Sequence, residues 1–175
     1  MPRTQRRIRE VIFLNESILR DIGIYKDKLI SAFTGSRDVA EILLGENAGE
    51  TPAEELLFTR IFPYLEMDES KPEEVSYLCL EADIPSAPSR MVKNLRITVW
   101  AYCHKNCLNY SRAGYAGTRT DQLADAAERA LRNLQDLGMG NLRLESASYL
   151  SPAGSKYYGR QMTFTVSDLK VKNSP

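Results

Sequence analysis

The sequence contains few of the residues on which most protein chemistry depends. There is one histidine, His104, and there are three cysteines, Cys79, Cys103 and Cys107, among 175 residues. A secreted disulfide scaffold carries a denser and even set of cysteines, so this set predicts free thiols in a reducing compartment. Any Ser-His or Cys-His nucleophile would have to use that one histidine, and no third orienting group accompanies it in the sequence. We therefore expect no catalytic residue and no cofactor.

The chain also lacks long apolar runs and net charge. No eighteen apolar residues run consecutively, and the apolar residues 11–14 behind the basic N-terminus are too few for a signal peptide. Lysine plus arginine and aspartate plus glutamate both number 23, so no overall field would attract nucleic acid or an anionic membrane. The composition predicts a protein that assembles in the cytoplasm without membrane contact.

The charges are nevertheless separated along the chain. Residues 41–83 contain twelve acids and two bases, whereas residues 84–175 contain thirteen bases and six acids. One interpretation is that a group of exposed helices and loops happens to be acidic. The alternative is that one face of the subunit is acidic and another basic, so that copies associate through unlike faces. Under the second interpretation Glu73 and Glu74 are candidate contact residues.

The N-terminal part of the sequence predicts helices. Apolar residues recur at helical spacing within residues 18–33. Ser36 is placed to cap a second helix that ends at Gly45. Thr51, followed by a proline at the first helical position, predicts the start of a third helix that must end near Pro63.

The period of the apolar residues changes from helical to two after residue 74. A capping box at Thr118 marks the one helix in this half of the chain, and four alternating segments read as strands. The strands are predicted at residues 75–84, 95–102, 142–150 and 162–167. This order predicts an α+β fold: a four-stranded, mainly antiparallel sheet (β-β-α-β-β) with the N-terminal helices packed on one face.

The length and the element order favour a single domain over residues 1–175. Its predicted parts are the N-terminal helices (1–45), an acidic helix and loop (46–74), the β-β-α-β-β core (75–169) and a loose tail (170–175).

The one concentration of metal-ligand residue types is the segment 103–107, with Cys79 on the neighbouring predicted strand. Two thiolates, an imidazole and a third thiolate could in principle form a tetrahedral zinc site. However, Cys103 and His104 point to opposite sides if the strand continues through them, and the spacing lacks a second zinc knuckle. We therefore interpret Cys79 and Cys103 as small core residues and predict no metal ligand.

Aromatic and basic residues are concentrated in the loop before the Thr118 helix, where Tyr110, Arg112 and Tyr115 lie close together. Such a mixture can bind single-stranded nucleic acid, and it suits a protein interface equally well. Because the chain is neutral overall, we favour an interface and add Arg90 from the preceding loop. Both loops are expected to be mobile in the free subunit, and alanine substitutions in the tyrosine-arginine loop to leave the stability nearly unchanged.

Three segments of the predicted core belong together: the strand 95–102, which contains the single tryptophan, the capped helix 118–137 and the closing strand 159–166. Together they resemble the tail terminator and head–tail joining (neck) proteins of long-tailed bacteriophages. The resemblance covers roughly residues 75–169. The acidic segment 46–74 is longer than in the smallest members of that family.

The resemblance implies a non-enzymatic virion subunit that forms a ring, typically a hexamer, at the head-proximal end of the tail tube. There the ring would stop tube polymerisation and join the tube to the neck, so the implied partners are copies of the chain, the tail tube protein and neck or connector proteins. A neck adaptor or head-closure protein is the nearest alternative. Outside the structural class, the alternative is a small metal-binding or nucleic-acid-binding protein.

Overall fold

The computed structural model describes residues 17, 19–45, 53–67, 74–89, 92–132, 134–135, 137–138, 140–151 and 154–169. Within these residues the chain forms three α-helices, five strands and two short 3₁₀ turns at Ala53–Leu56 and Lys105–Cys107. The helices are α1 (Arg20–Thr34), α2 (Arg37–Leu44) and α3 (Arg119–Arg132), and the strands are β1 (Ile61–Phe62), β2 (Ser76–Ser86), β3 (Val92–His104), β4 (Arg143–Leu150) and β5 (Tyr157–Leu169).

The five strands form one mixed sheet in the order β1-β2-β3-β5-β4. The four long strands are antiparallel to their neighbours, whereas β1 runs parallel to β2. The predicted α+β class and the β-β-α-β-β order are confirmed. The predicted number of strands is wrong because β1 was missed, and a strand of two residues is too short to show an alternating pattern.

The prediction of a third helix in the N-terminal part is also wrong. Its N-cap at Thr51 lies outside the described residues, and only a 3₁₀ turn forms at Ala53–Leu56. Phe58 then adopts a positive φ of 60°, which a helix cannot accommodate, and Ile61 pairs with Leu78 in the sheet. Leu56 and Ile61, which are five residues apart, are therefore buried from two different elements, the 3₁₀ turn and β1.

The other helix ends follow the predicted capping chemistry. The Ser36 hydroxyl accepts a hydrogen bond from the Val39 amide at 3.4 Å at the start of α2. At the start of α3 the Thr118 amide donates to the Asp121 carboxylate at 3.0 Å, and the Asp121 amide donates to the Thr118 hydroxyl at 3.4 Å. However, α3 ends at Arg132 and not at residue 137 as expected.

The main core lies between the helices and one face of the sheet. Helix α1 packs on β1 and β2, α3 packs on β3 and β5, and α2 contacts β2 and both of the other helices. The sheet contributes the alternate residues of its three central strands: Leu78, Leu80, Ala82, Leu95, Ile97, Val99, Ala101, Met162, Phe164 and Val166. Strand β4 is exposed along seven of its eight residues and contributes little to this core.

A second, smaller cluster covers one end of the opposite face of the sheet. The rings of Tyr77, Tyr102 and Tyr157 lie 5.5–6.0 Å apart, and Phe62 adds a further edge contact to Tyr77 at 5.9 Å. Each such pair adds about 0.5–1.5 kcal/mol beyond area burial. Burial raises the pKa of the Tyr102 phenol, and its hydroxyl lies 3.5 Å from the Cys79 sulfur. None of the described helices is long and apolar enough to cross a bilayer.

The close approach of β3 and β5 requires a glycine at position 159. A Cβ atom there would overlap the Ala101 carbonyl oxygen and lie 2.5 Å from the Tyr102 Cβ. We predict that Gly159→Ala destabilises the fold by about 1–3 kcal/mol, because backbone atoms must shift to admit the methyl group. Thermal unfolding monitored by circular dichroism should show that the melting temperature falls by roughly 2–4 °C for each kcal/mol of lost stability.

The matched control is Gly23→Ala in α1. No atom lies within 4 Å of the added methyl group at that position. The same substitution there should raise stability by up to about 1 kcal/mol, since alanine is the better helix former. An unchanged melting temperature in Gly159→Ala would contradict the β3–β5 register.

Candidate interaction site

The structure brings three of the predicted interface residues together and separates a fourth. Tyr110, Arg112 and Tyr115 lie in the loop between β3 and α3, and all three contact α2 or α3. Glu74 lies apart, just before β2, where its carboxylate accepts a hydrogen bond from Asn106. The two remaining predicted residues, Arg90 and Glu73, lie outside the described residues.

Arg112 connects the loop to α2. Its guanidinium donates to Asp38 Oδ1 at 2.8 Å and to Glu41 Oε2 at 2.7 Å. Arg129 of α3 reaches the other Asp38 oxygen at 3.1 Å. Asp38 therefore accepts charge-assisted hydrogen bonds from both sides, and the loop, α2 and α3 meet at one carboxylate.

Tyr115 lies between the two guanidinium groups. Its hydroxyl donates to Asp38 Oδ2 at 3.3 Å and accepts from Arg129 at 2.8 Å. The Arg112 and Arg129 guanidinium carbons lie 4.7 and 5.1 Å from the centre of the Tyr115 ring. These distances allow favourable cation–π contacts from both cations.

Tyr110 fixes the first part of the loop. Its hydroxyl donates to the Glu41 carbonyl oxygen at 3.4 Å, and the Arg119 guanidinium carbon lies 4.3 Å from its ring centre. The Tyr110 carbonyl accepts a hydrogen bond from the Gln122 side chain at 3.2 Å. The ring itself packs against the main core.

The expectation that alanine substitutions in this loop leave the stability nearly unchanged assumed that the loop has few core residues, whereas Tyr110 packs against the main core and Arg112 and Tyr115 bond to Asp38. Arg112 and its partner Asp38 are 74 residues apart in the sequence, so no local pattern could show that they meet. Asp38 and Arg129 also belong to this cluster, and the sequence patterns did not predict either of them. A role of Tyr110, Arg112 and Tyr115 in contacts between molecules stays a prediction, and it now concerns only the surface left exposed by these internal bonds.

The charges that are separated in the sequence are partly joined in the structure. Glu41 pairs with Arg112, Glu81 with Lys26 at 2.5 Å, and Asp83 with Arg96 at 3.1 Å. In each pair the acid comes from the acidic segment 41–83 and the base from outside it. The charge of these described carboxylates is therefore partly neutralised within the subunit, which reduces the contrast between an acidic and a basic face.

The three thiols do not meet at one point, because Cys79 lies on the opposite face of the sheet from Cys103 and Cys107. Cys79 lies on the face of the sheet that carries the aromatic cluster, whereas Cys103 is buried on the helix side of β3. His104 points to the aromatic side, where its ring meets Tyr157 edge-on at 5.8 Å. The described part of the chain contains no group of three or more His, Cys, Asp or Glu residues that could hold a metal ion.

Cys107 returns beneath the end of β3 through the 3₁₀ turn. Its thiol donates to the His104 carbonyl oxygen at 3.2 Å. A hydrogen bond from Cys103, with the nearby charge of Arg119 opposing the effect of burial, lowers the pKa of Cys107 to about 7. The same hydrogen bond and burial raise the pKa of Cys103, so the first proton that this pair loses comes from Cys107.

The first prediction from this site concerns Arg112→Ala. The substitution removes two charge-assisted bonds, and after allowance for partial exposure it should cost about 1–2 kcal/mol near pH 7. The hydrogen bond from Arg112 is the main reason why the pKa of Asp38 lies below its ordinary value of 3.8. A lowered carboxyl pKa stabilises the fold above the ordinary value of 3.8, and this contribution is lost as the carboxylate becomes protonated, so the difference in melting temperature should shrink as the pH falls below 3.8.

The matched control is Arg37→Ala. Arg37 also bonds Glu41, at 2.7 Å, but its side chain is 92% exposed. We expect a change within about 0.5 kcal/mol for this exposed helix pair. If the two alanine variants melt alike at pH 7, the Arg112 cluster does not hold the loop.

The second prediction concerns the reactivity of Cys107. Alkylation by iodoacetamide, followed by peptide mass mapping, should label Cys107 in the folded protein with a rate that is half-maximal near pH 7. Cys79 and Cys103 are buried and should react only after unfolding. In Cys103→Ala the midpoint should move up towards the ordinary value of 9.0, whereas Cys103→Ser keeps a donor and should move it less. An unchanged midpoint of the alkylation rate in Cys103→Ala would contradict the hydrogen bond by which Cys103 lowers the pKa of Cys107.

Comparison with known proteins identifies the family. The family model YomW matches residues 36–166, which include α2, α3 and strands β1 to β4, and most of β5. No curated protein matches the chain. The family name indicates a phage-associated protein and does not specify a tail terminator. Because the match spans well over half of the sequence, the chain belongs to the YomW family.

Proposed function

We propose that this chain is a non-enzymatic structural subunit of a bacteriophage virion. In this proposal copies of the chain form a ring, a hexamer in the form that the resemblance implies, at the head-proximal end of the tail. The ring ends the tail tube and joins it to the neck. Its partners are the neighbouring copies, the tail tube protein and the neck or connector proteins, and it assembles in the host cytoplasm.

The observation that carries the proposal is that the three segments that resemble tail terminator and head–tail joining proteins lie next to one another in the fold. The strand 95–102 lies within β3, and the strand 159–166 lies within β5. The two segments pair with each other from Leu95 opposite Val166 to Tyr102 opposite Gly159, at the centre of the sheet. Helix α3, which begins the third segment, packs on both strands. The resemblance is thus carried by one compact unit and not by scattered matches.

A polar bond fastens α3 to this unit in addition to the apolar core. Arg160 of β5 donates to the carboxylate of Asp121 at 2.9 Å, and Asp121 also caps α3. Rigid attachment suits a subunit whose task is to present a fixed surface to a tube, because ordering a mobile segment on binding costs free energy. The YomW family name, as that of a phage-associated protein, supports a role in a virion.

Tail length tests the proposed function. In the phage or prophage that carries the gene, deletion should leave tube polymerisation without a stop. Electron microscopy of induced lysates should then show tails of variable and excessive length that are not joined to heads. Complementation with the wild-type gene should restore a single tail length.

The control is complementation with the Arg37→Ala gene, since that exposed side chain is expected to matter little to the fold. Tails of normal length that accumulate beside separate heads would contradict tube termination and favour a neck adaptor or head-closure protein. Infectious particles of normal form in the deletion strain would contradict both virion roles.

A further inference from the structure

Strand β4 is an edge strand that the described part of its own subunit leaves uncovered. It pairs with β5 on one side, and no described strand lies beyond it. Leu144 and Tyr149, opposite Phe164 and Arg160, lie on the helix side of the sheet, yet they are 42% and 64% exposed. Large apolar side chains on the helix-covered side of a sheet are normally buried, so their exposure marks this edge as a surface for binding another protein surface.

A second group of exposed apolar residues lies at the opposite edge. Phe58 and Leu65 flank β1 and are 59% and 43% exposed, and Ile24 lies on the adjacent helix α1. Within the described ranges, every large apolar side chain that is exposed belongs either to β4 or to this α1–β1 side. The full set is Leu19, Ile24, Phe58, Tyr64, Leu65, Leu144 and Tyr149. We name the two groups the β4 edge and the α1–β1 edge.

The two edges cannot meet within one subunit, because β2, β3 and β5 separate them. A two-fold dimer through one edge would leave the other edge exposed. A head-to-tail contact of the β4 edge with the α1–β1 edge of the next copy covers both, and it closes into a ring when the rotation allows.

Strand direction permits the same contact. Strands β2 and β5 are both antiparallel to β3, so they run in the same direction, and β4 runs opposite to them. When copies are related by rotation about a ring axis, β4 therefore meets the β1–β2 side of its neighbour in antiparallel orientation. Strand β1 covers β2 only at Leu78 and Cys79, which leaves the outer edge of β2 from residue 80 onwards without a described strand.

We propose that the β4 edge of one copy binds the α1–β1 edge of the next copy, and that this is the subunit contact of the ring. The inference rests on the proposed function in that it takes a second copy of the chain as the partner. The irregularity between Leu144 and Ser146 and the charge of Arg143 disfavour strand pairing at the start of β4. Backbone pairing is accordingly assigned to residues 146–150, and Leu144 contributes side-chain contacts.

The experiment uses two edge variants of the full chain. The first combines Leu144→Lys with Tyr149→Lys, and the second combines Phe58→Lys with Leu65→Lys. The control carries Ala116→Lys and Gln135→Lys, at two exposed positions outside both edges. Circular dichroism should show that all three melt close to the wild type, and native mass spectrometry gives their assembly states. If a double variant unfolds, the single changes Tyr149→Ser and Leu65→Ser replace it.

The wild type and the control should form closed rings, whereas each edge variant alone should be monomeric at the same concentration. Loss of one aromatic anchor should weaken the contact at least about 30-fold. An equimolar mixture of the two edge variants should give heterodimers and nothing larger, because one intact edge of each kind remains.

The other outcomes separate the inference from the function. Rings that persist in the β4 variant, or a mixture that stays monomeric, would overturn the proposed contact while the ring of the proposed function stands. A wild-type chain that remains monomeric at every concentration up to the millimolar range would overturn both.

Discussion

The pairing of β3 with β5 is the interaction on which the rest of the structure depends. The two strands match over thirteen residues, from Val92 opposite Leu169 to His104 opposite Tyr157. One face of this pair forms the floor of the main core, and the other carries the aromatic cluster. Helix α3 and β4 lie between the two strands in the sequence, so pairing the strands closes a long loop and places α3 over them. Gly159 permits the approach, since any side chain there would meet the backbone of β3.

Sequence patterns predicted the elements whose signals are local. The alternation within β3 and β5, the helical spacing of α1 and the caps at Ser36 and Thr118 all depend on residues a few positions apart, and the structure confirms them. They did not predict β1 or the bonds of Arg112, because these depend on residues brought together only by the fold. Ile61 is an example, because its spacing of four residues from Leu57 is typical of a helix. In the structure the positive φ of Phe58 prevents a continuous helix between them.

Folding also changes the meaning of the charge pattern. The separation of acids from bases along the chain suggested unlike faces, yet several of the acids meet bases of their own subunit. Asp83 with Arg96 and Glu81 with Lys26 join neighbouring strands or a strand and a helix. An exposed pair such as Asp83 with Arg96 contributes about 0–1 kcal/mol, so it orients the two strands more than it stabilises them. The exposed apolar side chains at the two edges of the sheet offer a second kind of surface for association.

The exposure of β4 follows from the widths of helices and strands. Neighbouring strands lie about 4.8 Å apart and a helix with its side chains is about 10 Å wide, so one helix covers about two strands. Here α1 covers β1 and β2, α3 covers β3 and β5, and α2 fills the space between these helices. The fifth strand is left without cover by any described helix. Lengthening α1 or α3 would not help, because the shortage is across the strands and not along them. A surface that approaches from beside the sheet can shield Leu144 and Tyr149, and a second copy of the chain presents an apolar edge of matching strand direction.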